Sequence, residues 1–168
     1  MKSLIIIQVI ITFLAGLTAL FLMYKIMNYF MKKKFKIEEA NSAFAILQVG
    51  ILISTSFIMA SVMSAAVNAV QFLNTGGSVQ LNNVLTSLIY IIVFIIIGML
   101  FTFAVIFSSI FIFFQLTNIN EWEQIKLNNI PTSLISAALI LGLALIMDDY
   151  IGHLCEALIP YPDVIQIR

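Results

Sequence analysis

The chain has 168 residues, 62% hydrophobic and only 10% charged, and its eight basic and eight acidic side chains cancel. A soluble domain could not cover that much apolar surface without aggregating, so the composition points to a bilayer. It also excludes nucleic acid as a partner, because no basic run with interleaved aromatics occurs, and one cysteine and one histidine exclude an intrachain disulfide or a multi-histidine metal cage.

Four long apolar segments follow one another: Leu4–Met31, Ala43–Leu73, Leu85–Leu116 and Thr132–Ile159. Each exceeds the roughly 18 residues that a spanning helix needs. The first is too long for the apolar stretch of a signal peptide and lacks a small-residue cleavage site, so a retained transmembrane helix is expected. The second would be about 46 Å long at 1.5 Å per residue, against about 30 Å of hydrocarbon. Such helices tilt, break or project into the interfaces.

The first connection carries Lys25, Lys32, Lys33, Lys34 and Lys36, opposed only by Glu38 and Glu39. The second, Asn74–Asn83, is uncharged and contains the Gly76–Gly77 turn signal. The positive-inside rule then places the first connection in the cytoplasm and both termini outside. The third connection, Ile119–Asn129, holds Glu121, Glu123 and Lys126, but acidic residues count little in this rule. The lysines could also recruit anionic lipid headgroups, at about 1 kcal/mol per basic residue; topology alone is the simpler account.

Aligning Asn41 with Asn129 sets an offset of 88 residues and exposes a repeated layout. In each half a helix leads through a charged connection and an asparagine junction into a helix rich in small residues. An even number of spans makes such repeats parallel. The expected fold is therefore all-α and integral to the membrane: four transmembrane helices in two parallel hairpin repeats. One domain covers residues 1–168, with repeats over 1–74 and 84–160 and a short tail over 161–168. Asn41 and Asn129 are natural N-caps, Pro131 fits a first helical turn, and Trp122 fits an interfacial anchor.

The segments EEANSAFAILQVG (Glu38–Gly50), SAAVNAV (Ser64–Val70) and NEWEQIKLNNIPTSLI (Asn120–Ile135) resemble the bacterial domain of unknown function 350, the YjfL-like inner-membrane proteins. The resemblance covers nearly the whole chain, and its asparagine-rich junction is the most specific part. It implies a small four-helix protein of the bacterial inner membrane, in a family associated with membrane-stress and membrane-remodelling systems. It supplies no reaction and no catalytic residues. This chain departs from the pattern in its length and in carrying Asp148, Asp149, His153 and Glu156.

In the second segment Ser54, Ser61, Ser64, Asn68 and Gln71 are spaced 7, 3, 4 and 3, which keeps them on one helix face. The 88-residue offset maps Ser61 onto Asp149, Ala65 onto His153 and Asn68 onto Glu156. Asp149, His153 and Glu156 again share a face, so the two stripes would meet if these helices packed together. Carboxylate–imidazole–carboxylate could relay protons or hold a divalent metal, and ionisable residues in a span are functional suspects. The alternative is packing: small and hydroxyl residues let helices approach closely. Asp148 and Asp149 also lie about 26 Å beyond Pro131, near the far boundary. Packing is the reading preferred. The third segment is rich in phenylalanine, and Phe107, Phe111 and Phe114 form a stripe that lipid contact accounts for.

No nucleophile–base pair, phosphate loop or two-cysteine metal motif is present. The chain is expected to be no enzyme and to need no cofactor or metal. Its expected partners are the lipid bilayer, further copies of itself and cytoplasmic proteins. The functional reading is an oligomeric scaffold or docking subunit meeting those proteins through Lys32, Lys33, Lys34, Glu38, Glu39, Asn41, Trp122 and Asn129. An ion channel or transporter built on the polar stripes is the alternative.

Overall fold

The computed structural model describes residues 2–36, 41–73, 81–117 and 120–159. Five helices follow in order: α1 (Lys2–Phe35), α2 (Ser42–Leu73), α3 (Leu81–Thr117), α4 (Glu121–Lys126) and α5 (Ile130–Ala157). Among the described residues there is no strand. Four of the helices, α1, α2, α3 and α5, are long and apolar enough to cross a membrane. In hydrocarbon every backbone N–H and C=O must be satisfied within the protein, and a helix does this within its own segment. Buried hydroxyls follow the same logic. Thr55, Thr102, Ser109 and Ser136 each donate to the carbonyl four residues back, at 2.7–2.9 Å.

One element differs from expectation. The third connection, read from its charges as a plain loop over Ile119–Asn129, contains the six-residue helix α4. Its apolar face is too short to show a period in the sequence, yet Ile125 is fully buried and Trp122 packs against the core.

The spans alternate in direction. α2 and α5 start at the same end, beside α4, and run parallel; this is the most extensive helix pair, with α1 and α3 flanking α2 in the opposite sense. Small residues set the closeness of the α2–α5 pair. A Cβ built on Gly50 would lie 2.7 Å from Ala137 Cβ and 2.9 Å from its Cα, and one on Gly152 would lie 3.1 Å from Ser61 Cβ. Without a hydrophobic drive between helices in lipid, such contact lets dispersion and interhelical hydrogen bonds act. Buried Leu47, Ile51, Ile58, Val62, Ile140 and Ala144 fill the remaining core around this axis.

The phenylalanines of α3 divide between two roles. Phe94 and Phe113 are buried, whereas Phe107 and Phe111 are exposed on the outer face. Phe107 meets Phe30 of α1 edge-on, with ring centroids 6.4 Å apart.

Gly50→Val drives a branched side chain into the Ala137 backbone and is expected to destabilise the fold by about 1–3 kcal/mol. Gly142→Val, where a Cβ meets nothing within 4 Å, leaves the thermal midpoint in detergent unchanged. Equal midpoints for the two variants would contradict the close α2–α5 approach.

Candidate functional site

The junction is built by asparagines. Asn41 precedes α2 and is buried; its Oδ1 accepts from Phe44 N at 2.7 Å, capping the helix. Its Nδ2 donates to Ile125 O at 2.7 Å and Lys126 O at 3.4 Å, carbonyls at the end of α4 that lack the regular partner four residues on. Asn128 answers from the other side: its Oδ1 accepts from Ala43 N at 2.9 Å, in the first turn of α2. To do so Asn128 adopts a left-handed backbone, φ 60°, which asparagine tolerates better than most residues. This conformation also ends α4. The N–H of Asn128 donates to Ile125 O and that of Asn129 to Gln124 O, the paired bonds of a Schellman stop. Asn129 then begins the next helix, accepting from Thr132 N at 3.3 Å, while its Nδ2 donates to Gln124 Oε1 at 2.8 Å. Asn120 caps α4 itself, accepting from Glu123 N at 3.5 Å.

Along the seam, two bonds join the stripes of α2 and α5. Ser61 Oγ donates to Asp148 Oδ1 at 2.6 Å, and Asn68 Nδ2 donates to Glu156 Oε1 at 3.1 Å. The second pair keeps the 88-residue offset; the first is one residue shorter, so Asp148 rather than Asp149 meets Ser61. Consecutive helical residues diverge by about 100°, and Asp149 is accordingly exposed. His153 is exposed as well, with its Nδ1 3.7 Å from Glu156 Oε2. Ser64 and Gln71 are exposed on α2, whereas Ser54 is fully buried with no partner for its hydroxyl. Among the described residues, no three of His, Cys, Asp and Glu come together as metal ligands. Buried Cys155 lies in the packing of α5.

The family model for the Domain of Unknown Function DUF350 matches residues 1–148. The chain belongs to the DUF350 family. No curated protein and no solved structure matches it. The matched range of this DUF350 chain takes in the whole asparagine junction and Asp148, and stops before Asp149, His153 and Glu156.

Of the expected junction residues, Asn41, Trp122 and Asn129 come together where α2, α4 and α5 meet. Lys32 and Lys33 lie in the last turns of α1, Lys33 donating to Tyr29 Oη at 2.7 Å. Lys34 belongs to the same helix but its side chain lies outside the described residues, as do Glu38 and Glu39 altogether. The sequence left two participants unmarked. Asn128 bridges α4 to α2, and the doublet Asn128–Asn129 beside Pro131 was the available signal. Glu121, counted there as one more loop charge, is 2% exposed, and neither carboxyl oxygen accepts a hydrogen bond. Burial pushes its carboxyl above the usual carboxylate range, opposed more weakly by the nearby Ser136 hydroxyl.

Asn41→Ser retains a capping oxygen but not the amide that reaches α4, and Asn41→Ala loses both. The expected order of stability is wild type, then Ser, then Ala, with the alanine variant down by about 1–3 kcal/mol. Chemical unfolding in detergent followed by circular dichroism checks it, and equal curves for Ser and wild type would deny the amide its role.

Proposed function

We propose that this DUF350 protein is a non-enzymatic scaffold of the bacterial inner membrane, one that assembles with further copies of itself and presents its asparagine junction to soluble cytoplasmic proteins. One observation carries the reading: the half-buried residues Ser61, Asn68, Asp148 and Glu156 are engaged in holding helices together. Asp148 and Glu156 each accept from an α2 side chain, so these carboxylates act as interhelical bonds, each contributing roughly 0.6 kcal/mol. The lysines of α1 support a cytoplasmic junction by the positive-inside rule. The parallel α2–α5 pair, with partners 87 and 88 residues apart, supports descent from a duplicated hairpin. Near α4 the junction end offers a groove of about 530 Å³ walled by Phe107, Phe111, Asn120 and Trp122, a surface suited to a partner's apolar side chain.

A second reading rests on Ser64, Gln71, Asp149 and His153, which are exposed at the other end of the same two helices. Several copies turning these faces inward would line a pore, so a channel is the competing function.

Reconstituted liposomes separate the two. The scaffold reading predicts the same proton and monovalent-cation flux for wild type and for the triple variant Asp149→Asn, His153→Ala, Glu156→Gln. It also predicts that a photo-cross-linker at Trp122 captures a soluble protein in intact cells and that one at Phe94, buried in the core, captures none. A flux that the triple variant abolishes would transfer the assignment to the channel.

A further inference from the structure

Among the described residues, Glu121 is the one buried acid of the junction that neither the caps nor the seam employs. It opens α4, is 2% exposed, and both its oxygens lack a hydrogen-bond partner. The polar group beside it is Ser136 of α5. That hydroxyl donates its proton to Thr132 O at 2.8 Å. Turned toward Glu121 it would hold the ionised carboxylate and lower its pKa, but while it serves Thr132 it offers Glu121 only an oxygen lone pair. An ionised carboxylate, acceptor-only, would face another acceptor here. A protonated carboxyl has one O–H to give, and giving it to Ser136 Oγ completes a chain from Glu121 through Ser136 to the Thr132 carbonyl.

Among the described residues, the surroundings offer no compensating charge. Neither α2 nor α3 contains a charged residue, and α5 has none before Asp148. On α4 itself Glu123 and Lys126 are exposed. The basic residues whose side chains are described at this end, Lys32 and Lys33 on α1 and Lys36 just beyond it, donate no hydrogen bond to the Glu121 oxygens. Glu121 forms part of the wall of the groove between α3 and α4, with Phe107, Ile110, Phe111, Asn120 and Trp122, and its oxygens are covered from that groove while α4 is seated.

We propose that Glu121 is a proton-binding site: the protonated acid donates to Ser136 and seats α4 on α5, and transfer of that proton to water in the groove unseats the short helix. The effect reaches α2, since Asn41 holds the last carbonyls of α4. The sign follows from linkage. An acid whose pKa is raised on folding contributes its full stabilisation below the ordinary glutamate value, about 4.3, and loses it as pH rises through the elevated one.

The chain has a single tryptophan, Trp122, adjacent to the acid, so the seat reports on itself. The experiment uses full-length protein in nanodiscs, following the protonated-carboxyl C=O stretch by infrared difference spectroscopy and Trp122 emission over a pH series. The expected result is a protonated-carboxyl band that persists above the ordinary glutamate titration range and is absent in Glu121→Gln. Trp122 emission of the wild type should shift to the red with the midpoint at which the band disappears, and that of Glu121→Gln should stay flat. A band titrating in the ordinary glutamate range overturns the proposal, as does one appearing only when bound metal cations are stripped. Should Glu121→Gln fail to fold, the wild type decides alone: a red shift above the ordinary glutamate range supports the proton site, and pH-independent emission refutes it.

Discussion

Asn41 is the point on which the arrangement depends. A helix end in or near a membrane leaves backbone groups without partners, and hydrocarbon cannot supply them. Here one side chain satisfies two ends at once: its oxygen caps the start of α2, and its amide caps the finish of α4. Asn128 returns the favour by accepting from the first turn of α2. The helices that meet at this node are therefore fixed in relative height at this end of the bundle. That common origin gives α2 and α5, parallel by the alternation of the spans, a defined register.

The register decides what the polar residues can do. With both helices started together, Gly50 falls opposite Ala137 and Gly152 opposite Ser61, and the backbones approach closely. Ser61 then reaches Asp148, and Asn68 reaches Glu156. Each carboxylate that would be expensive alone in a span has a donor from the neighbouring helix. Residues one position away, Asp149 above all, are left on the surface. One seam thus yields a bonded inner line and an exposed outer line, and the competing functions divide along it.

Much of the fold was legible in the sequence because the signals were long. Four apolar segments of spanning length need no tertiary information, and the α2 and α5 caps follow from asparagines standing before helical runs. What escaped was short or relational. α4 has six residues, fewer than two turns, so no periodicity could distinguish it from a loop. The repeat offset of 88 names Glu156 for Asn68 correctly but misses Asp148 for Ser61 by one residue, because two packed helices need not keep an identical rise along their whole length. Glu121 looked solvated because its neighbours in sequence are polar; its burial comes from other elements, among them α5, which begins nine residues on, and α3. Family membership places the chain among DUF350 proteins and leaves the activity to be argued from this geometry.

The central claim is that α2 and α5 lie side by side, parallel and in this register, within one chain. Paired cysteines test it in native membranes, on a Cys155→Ser background with a protease site inserted in the connection after α2. Oxidation should hold the two halves together after cleavage for Ser61→Cys with Asp148→Cys, and for Asn68→Cys with Glu156→Cys. The crossed pairs, Ser61→Cys with Glu156→Cys and Asn68→Cys with Asp148→Cys, should fall apart. Cross-linking of the crossed pairs in preference to the matched ones would contradict the parallel seam and the junction that sets it.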